Sequence, residues 1–226
     1  MNYLLVVAHP DDEVLGAGAS IWNWTQKGHK VAACVLCANA GARACRPSDQ
    51  VLHENMEKSM KMLGICQHYL GNFPNIEMNT VPHIELVQFV ENAIMDFQPD
   101  VVLTHFPSDI NNDHVHTSIA CQAAVRVFQR RPEIKPVSEL WFMEVNSSTD
   151  WSLTPDSVFV PNNFVEVHKE GVNAKIAALK NYTGVMRPYP HPRSVESIEG
   201  LAAFRGSQAG LDFAEAFQCV FRRQSI

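Results

Sequence analysis

The sequence lacks most of what a protein that binds nucleic acid or a membrane needs. Its 226 residues include 18 Lys and Arg against 24 Asp and Glu, a formal net charge of -6, whereas such surfaces are normally basic. It has no apolar segment long enough to cross a bilayer, and no positively charged stretch precedes the first apolar run, as a secretory signal requires. We therefore predict a cytoplasmic protein with no transmembrane segment and no nucleic-acid partner.

Features of a multidomain or dinucleotide-binding chain are also missing. We find no internal repeat, low-complexity tract or linker, so we predict one domain over residues 1–226. The lone G-x-G at 16–18 is no dinucleotide fingerprint, because Ile21 occupies the place of the third glycine.

Cys34 and Cys37 lie three residues apart on a predicted strand, so their side chains should face opposite sides of the sheet. We therefore predict that they are small core residues and do not bind a metal ion together.

What the sequence does contain is a regular alternation of strand and helix patterns. Apolar runs rich in β-branched residues predict strands at 3–8, 31–36, 66–70, 101–104 and 137–145, an extended stretch at 158–167, and a closing strand or extended tail at 215–222. Apolar residues at spacings of three and four predict helices at 14–26, 50–63, 82–97, 169–182 and 195–205, and one more after residue 116. This alternation predicts an α/β fold with a doubly wound, mostly parallel sheet.

A dense polar cluster follows the first predicted strand. The strand ends at a proline, so the side chains that follow lie at its carboxyl end, where open α/β sheets bind their ligands. His9 and Asp12 supply an imidazole nitrogen and a carboxylate oxygen, which suit zinc or a similar divalent ion. Asp11 and Glu13 remain, and adjacent carboxylates in a pocket need a cation or a proton. The alternative is that Asp12 caps a helix and His9 is an ordinary loop residue.

A second polar cluster follows the strand at 101–104 and precedes a helix. Both clusters lie at the same end of the predicted sheet, so a histidine from the second would complete a His-Asp-His site with an open position for water, as catalytic zinc requires. His105, His114 and His116 all compete for this role. Spacing alone does not choose among them.

Two other loops carry candidate binding residues. The loop after the second strand contains Arg43, which could reach a substrate from the same edge of the sheet. A proline-rich stretch at 187–194 contains His191 and Arg193, and rigid loops of this kind position binding groups well. For each of these side chains, plain exposure to solvent is the competing interpretation.

The run Ala8-His9-Pro10-Asp11-Asp12-Glu13, followed by Asp113-His114, resembles the PIG-L/LmbE-like family of metal-dependent N-deacetylases. Further stretches that look like family features lie at 161–165, 190–194, 205–206 and 214–217. The resemblance implies a Rossmann-like domain that removes acyl groups, usually acetyl, from amino groups on sugars. It also implies a zinc ion, or another divalent cation, as cofactor.

Carried over by position, the resemblance implies that His9, Asp12 and His114 are the metal ligands and that Asp11 is the general base. Asp113 would cap the helix that carries His114 or contact a ligand from behind, and we favour the cap. Many family members have His-Pro-Asp-His in the second motif, whereas residues 111–114 here read Asn-Asn-Asp-His. The histidine that helps to stabilise the transition state in those members is therefore replaced by an asparagine.

The best substitute for that histidine is His191, followed by Asp109 and Asn111, and we expect the last two and Arg193 to contact the substrate. The resemblance therefore implies a metal-dependent hydrolase that removes an N-acetyl (acyl) group from a small N-acetylated amino sugar or sugar conjugate. One alternative is a phosphoester hydrolase, which the shortage of clustered Lys and Arg disfavours. The other is a non-catalytic sugar-binding homologue, which the retention of Asp11 and all three ligands disfavours. The oligomeric state stays open, a homo-oligomer included.

Overall fold

The computed structural model describes residues 1–39, 47–153 and 157–224, within which seven strands form one sheet. The strand order is β3-β2-β1-β4-β5-β7-β6. Neighbouring strands from β3 to β5 are parallel, and β7 runs antiparallel to both β5 and β6. The strands are β1 Asn2–Val7, β2 Lys30–Val35, β3 Gln67–Leu70, β4 Val101–His105, β5 Glu139–Met143, β6 Asn163–Glu166 and β7 Ala214–Arg222.

Helices cover both faces of this sheet. In the described residues they are α1 Asp12–Gln26, α2 Asp49–Leu63, α3 His83–Phe97, α4 Asn112–Ala124, α5 His168–Leu179 and α6 Val195–Ala209. Alternate residues of β1 point to opposite faces, so Leu5 packs in a core with α1, α2, α5 and α6, while Leu4 packs in a second core with α3 and α4. The predicted doubly wound, mostly parallel α/β fold is confirmed.

Helix ends follow the local chemistry of the sequence. The side chains of Ser48 and Ser194 accept hydrogen bonds from backbone N–H groups in the first turns of α2 and α6, as helix caps do. Gly64 ends α2 with a φ of 78°, a conformation that glycine adopts without a steric penalty. Ile119, predicted on the apolar side of α4, is instead 44% exposed, because that helix buries mainly small residues against the sheet.

Cys34 and Cys37 are both buried, as predicted for small core residues. They do not face opposite sides as expected, because β2 ends at Val35 and both side chains pack in the core with α3 and α4. Among the described residues, none of the helices combines the length and apolar character that spanning a membrane would require.

The switch point of the sheet lies between β1 and β4. The chain winds outward from β1 through β2 to β3 on one side, and β4 begins the other half of the sheet. Because β1 and β4 are parallel neighbours, with Tyr3 opposite Val101, the loops that leave their carboxyl ends meet. Open α/β sheets bind ligands at such a crevice.

Candidate active site and metal centre

The turn after β1 brings two acidic residues, Asp11 and Asp12, into the crevice. Asp11 has φ 98° and ψ −23° and precedes the first turn of α1. The carboxylate of Asp12 closes this turn, because its Oδ2 accepts the backbone N–H of His9 at 2.9 Å. The negative charge of Asp12 also lies at a helix N-terminus, where the helix dipole favours it.

His9, Asp12 and His114 converge on one point. All three are buried, and each offers a ligand atom within 4.8 Å of the other two. Asp12 Oδ2 lies 3.4 Å from His9 Nδ1 and 3.3 Å from His114 Nε2. Two imidazole nitrogens and one carboxylate oxygen are the donor set of many catalytic zinc sites.

Each of these histidines has a carboxylate at its other ring nitrogen. His9 Nε2 lies 2.9 Å from Asp113 Oδ2, and His114 Nδ1 lies 3.3 Å from Asp109 Oδ2. A carboxylate there selects the tautomer that keeps its proton on that nitrogen. The nitrogens that face Asp12 are then the lone-pair donors that a metal ion requires.

Asp113 is not the helix cap that we favoured from the sequence. Asn111 is the cap of α4, and its Oδ1 accepts the Asp113 N–H at 2.9 Å. The carboxylate of Asp113 instead accepts the backbone N–H groups of Ile76 at 2.6 Å and Met78 at 3.1 Å, in addition to its contact with His9. Asp113 therefore joins the loop before α3 to the candidate metal ligand.

Asp109, expected to contact substrate, lies behind His114 and is itself buried. Its carboxylate accepts the hydroxyl of Thr149 at 2.7 Å, the hydroxyl of Ser148, and the backbone N–H of Asn111 at 2.8 Å. Asp109 therefore contacts the candidate ligand His114 from behind and does not belong to the described lining of the cavity.

The electrostatics of the cluster favour a cation. Burial opposes charge on Asp12, yet His114 and His9 outweigh burial and hold the pKa of Asp12 well below its usual range. Burial alone would lower the pKa of His114, but Asp12 and Asp109 outweigh it and raise this pKa to about 10. The negative charges of Asp12, Asp109 and Asp113 make both histidines hold their protons tightly. The same negative charges would attract a divalent ion. The residues present therefore fit such an ion.

His105 takes a different role from His114. Its Nε2 accepts the backbone N–H of Ala8 at 2.9 Å, and its ring stacks on that of His114 with centroids 3.8 Å apart. Burial, together with the charge of His114, lowers the pKa of His105 to about 3, so this ring is neutral. His116 lies two residues after His114 in α4, is half-buried, and does not belong to the cluster of candidate ligands.

A cavity of about 510 Å³ opens over the candidate ligands. Asp11 and Asn111 line it with Ser148, and two apolar side chains, Ile76 and Ile110, also face it. The cavity is therefore polar around the candidate metal centre and partly apolar elsewhere, a composition that small-molecule sites commonly show.

Of the other three side chains predicted at the site, Arg193 lies at the cavity and His191 lies outside its described lining. Arg193 lines the cavity, with its Nη1 3.8 Å from Asp11 Oδ2 and its Nε donating to Ser147 Oγ at 2.6 Å. His191 is exposed and is absent from the described lining of the cavity, and its Nδ1 accepts the Arg193 N–H at 3.0 Å. Arg43 lies outside the described residues.

One pair of residues has no role in the sequence-based interpretation. Glu13 is fully buried, and its Oε1 accepts the hydroxyl of Tyr182 at 2.7 Å. Burial raises the pKa of Glu13 to about 8. The signal in the sequence was the third acidic residue of the first cluster, but its partner lies 169 residues away.

Comparisons with known proteins place this site in a family. A model of the family described as "PIG-L: GlcNAc-PI de-N-acetylase" matches residues 4–125. The uncharacterized deacetylase YaiS of Escherichia coli (strain K12) is 29% identical over 186 residues, which cover 79% of this chain and 89% of that protein.

Two solved structures show the same fold. The N,N'-diacetylchitobiose deacetylase from Pyrococcus horikoshii has a TM-score of 0.74 at 19% identity, over 97% of this chain and 83% of that one. GalB, the 4-carboxy-2-hydroxymuconate hydratase from Pseudomonas putida KT2440, has a TM-score of 0.78 at 19% identity, over 100% and 98%. At such identities the likeness concerns the fold alone. The family model, in contrast, spans more than half of the chain, and the chain therefore belongs to the GlcNAc-PI de-N-acetylase (PIG-L) family.

Proposed function

We propose that this protein is a metal-dependent hydrolase that removes the acetyl group from an N-acetylated amino sugar or sugar conjugate. The observation that carries the proposal is the convergence of His9, Asp12 and His114 within 4.8 Å of one another. Asp11 lines the cavity over the same three residues. We assign the whole reaction to one domain, residues 1–226.

The proposed substrate class rests on the family and on the cavity. The family description names a de-N-acetylase of GlcNAc-PI, and a structural relative is a diacetylchitobiose deacetylase. A cavity of about 510 Å³ is large enough for a sugar with an N-acetyl group. Its polar side chains, with Asn111 and Ser148 among them, suit the hydroxyl groups of a sugar.

His9 Nδ1, Asp12 Oδ2 and His114 Nε2 would hold the ion, and the donor set favours zinc or a similar divalent metal. The chemistry that such an ion supplies when bound is Lewis acidity, which polarises a carbonyl group and lowers the pKa of water. Asp113 and Asp109 keep the two histidines in the tautomers that present lone pairs.

Asp11 is the proposed base. Its carboxylate takes a proton from the attacking water while the oxygen of that water bonds to the amide carbon. The C–N bond then breaks, and Asp11 returns the proton to the leaving nitrogen, so that the products are acetate and a free amine. Asp11 can serve both steps because its carboxylate lies at the cavity wall beside the candidate ligands.

Asn111 and Arg193 are the proposed substrate contacts. The Oδ1 of Asn111 is taken by the Asp113 N–H, which leaves its amide nitrogen to donate to the substrate. The guanidinium of Arg193 reaches the cavity beside Asp11. The role predicted for His191 stays a prediction, and a movement of the loop at 187–194 would be needed to bring its ring into the described cavity.

The test is mass spectrometry of a panel of N-acetyl amino sugars incubated with the protein and Zn²⁺. We expect at least one member to lose the mass of an acetyl group with equimolar release of acetate. Parallel assays follow phosphate release from sugar phosphates and water addition to unsaturated carboxylic acids, since a hydratase shares the fold. Turnover in either of those assays, without acetate release, would refute the proposal.

Asp11→Asn and His114→Ala are the matched controls. We expect Asp11→Asn to keep its zinc affinity and to lose about 10²–10⁴-fold in kcat, the usual share of a general base. His114→Ala should lose both zinc binding and turnover, because it removes a ligand. Activity of Asp11→Asn within a few-fold of the parent would exclude Asp11 as the base.

A further inference from the structure

We propose that Glu13 and Tyr182 are positioning residues for Asp11. Their hydrogen bonds hold the proposed base in a fixed orientation beside the candidate metal ligands. The inference rests on the proposed function for its effect on turnover, but the geometry behind it does not. Neither Glu13 nor Tyr182 belongs to the described lining of the cavity.

The backbone of Asp11 needs to be held. Its φ of 98° lies in a region that residues with a Cβ rarely adopt. Strained backbone persists only where surrounding contacts determine it. The Asp11 N–H donates to Glu13 Oε2 at 3.1 Å, which ties the strained peptide to the side chain two residues further on.

Glu13 is in turn held from another part of the fold. Its second oxygen, Oε1, accepts the hydroxyl of Tyr182 at 2.7 Å, and Glu13 and Tyr182 are 0% and 2% exposed. The Tyr182 N–H donates to the carbonyl of Leu179 at the end of α5. One hydroxyl therefore links the C-terminal end of α5, through the single buried carboxyl group of Glu13, to the backbone of the proposed base.

The consequence for turnover is specific. If Glu13 loses its partner, the Asp11 peptide gains freedom while His9, Asp12 and His114 keep their own carboxylate and backbone contacts. Misplacement of a base lowers the rate of the chemical step without weakening substrate binding. A purely structural role would lower stability and leave kcat unchanged.

The test compares Tyr182→Phe with Tyr69→Phe. Each variant removes one hydroxyl that donates to a carboxyl group, and Tyr69, on the edge strand β3, donates to Asp96 at 2.6 Å. We expect Tyr182→Phe to lose at least about fivefold in kcat with unchanged KM and zinc affinity, while Tyr69→Phe keeps the parent values. Unchanged kcat in Tyr182→Phe, or a loss that only tracks lost zinc affinity, would overturn the inference.

A second readout needs no turnover. Amide hydrogen exchange, followed by NMR, should become faster at Asp11 in Tyr182→Phe and stay unchanged at Leu5 in β1. If the parent protein released no acetate from any substrate, the proposed function would fail, and the exchange rates would still decide the positioning role. Equal exchange at Asp11 in the parent and in Tyr182→Phe would exclude it.

Variants of Glu13 complete the experiment. Glu13→Gln keeps an oxygen that can accept the Asp11 N–H and an amide that can donate to Tyr182, whereas Glu13→Ala keeps neither. We therefore expect Glu13→Gln to regain most of the kcat that Glu13→Ala loses. Equal kcat in these two variants would contradict the proposed hydrogen-bond chain.

Discussion

At the scale of single residues, the site depends on which ring nitrogen each histidine presents. Asp113 holds Nε2 of His9, and Asp109 holds Nδ1 of His114. The opposite nitrogens then face Asp12. Each histidine thus pairs with a carboxylate of the second polar cluster that lies behind it, and we expect this pairing to support cation binding.

Asp109→Asn should therefore weaken metal binding without removing a ligand. Removal of a carboxylate from behind a ligating histidine typically lowers metal affinity about 10–100-fold, and we expect a loss of that size. The measurement is a competition titration of Zn²⁺ against a chromophoric chelator. Asp150→Asn, at an exposed aspartate, is the control and should match the parent. Parent-like zinc affinity in Asp109→Asn would contradict the support role.

Part of this arrangement could be predicted from the sequence. The run from His9 to Glu13 marked the site because consecutive residues carry both the strand end and the polar cluster. The functions of Asp109 and Asp113 could not be read in the same way. Asp109 precedes α4 and Asp113 lies in its first turn. Whether such a carboxylate faces a cavity, caps a helix or supports a histidine depends on contacts with distant parts of the chain.

At the scale of elements, α1 is interrupted at Ala17, about one turn after it begins at the site. Ala17 has φ −147° and ψ 19°, outside the helical region, so nearby backbone groups lose their partners within the helix. A buried ion pair satisfies them. Lys175 Nζ donates to the carbonyl of Leu15 at 2.7 Å, and Glu215 accepts the N–H of Ser20 at 2.7 Å. Lys175 and Glu215 also contact each other at 2.7 Å.

Lys175→Met should be strongly destabilising. It leaves the Glu215 carboxylate buried without its cation, and breaking a buried pair in this way costs about 3–5 kcal/mol. We expect a loss of that order in the free energy of unfolding, measured by urea titration. Lys169→Met is the control, because the pair of Lys169 with Glu199 is exposed and should contribute about 1 kcal/mol or less. Similar losses in both variants would refute the special role of Lys175.

Asp100 joins the amino ends of β1, β4 and β5, at the end of the sheet opposite the site, and its contribution to stability depends on pH. Its carboxylate accepts the Asn2 N–H at 2.7 Å and contacts Lys135, while its carbonyl accepts the Ser138 N–H. Burial opposes the charge of Asp100, but Lys135 and the Asn2 N–H outweigh burial and hold the pKa below its usual value of 3.8. A carboxyl group with a lowered folded-state pKa stabilises the fold above its unfolded-state pKa, and this stabilisation is lost as the pH falls through the folded-state value.

Asp100→Asn should accordingly be less stable than the parent by about 1.5–3 kcal/mol at about pH 7, the usual contribution of a hydrogen bond to a charged group. The difference should shrink as the pH falls below 3.8. Urea unfolding at about pH 7 and about pH 3 measures it. Asp212→Asn, at an exposed position, should change the free energy of unfolding by about 0.5 kcal/mol or less at both. A difference for Asp100→Asn that grows on acidification would reverse the assigned sign.

At the scale of the whole molecule, the candidate metal centre joins the two halves of the sheet. His9 and Asp12 follow β1, whereas His114 lies on the helix after β4. An ion held by all three would bind the folded state and not the unfolded chain, so binding should stabilise the whole fold. At a free concentration of about 100 times Kd this linkage is worth about 2.7 kcal/mol.

Zn²⁺ should therefore raise the Tm of the chelator-treated protein by about 5–10 °C, given about 2–4 °C per kcal/mol for a chain of this size. Differential scanning calorimetry with and without chelator measures the shift. His114→Ala should show almost none, because it removes one of three ligands. An equal shift in His114→Ala and the parent would indicate that zinc binds elsewhere.

The sequence by itself determined the order of strands and helices, the fold class and the first half of the site. Each depends on local patterns, since periodicity and a strand end followed by polar residues are properties of neighbouring residues. Spacing left three histidines open as the third ligand, and the family resemblance implied His114. Only the tertiary structure decided that His114 meets His9 and Asp12, which carboxylate lies behind it, and that Tyr182 holds Glu13. The physical reason is distance along the chain. Contacts such as His9 with Asp113, 104 residues apart, depend on how parallel strands align, and no local pattern encodes that alignment.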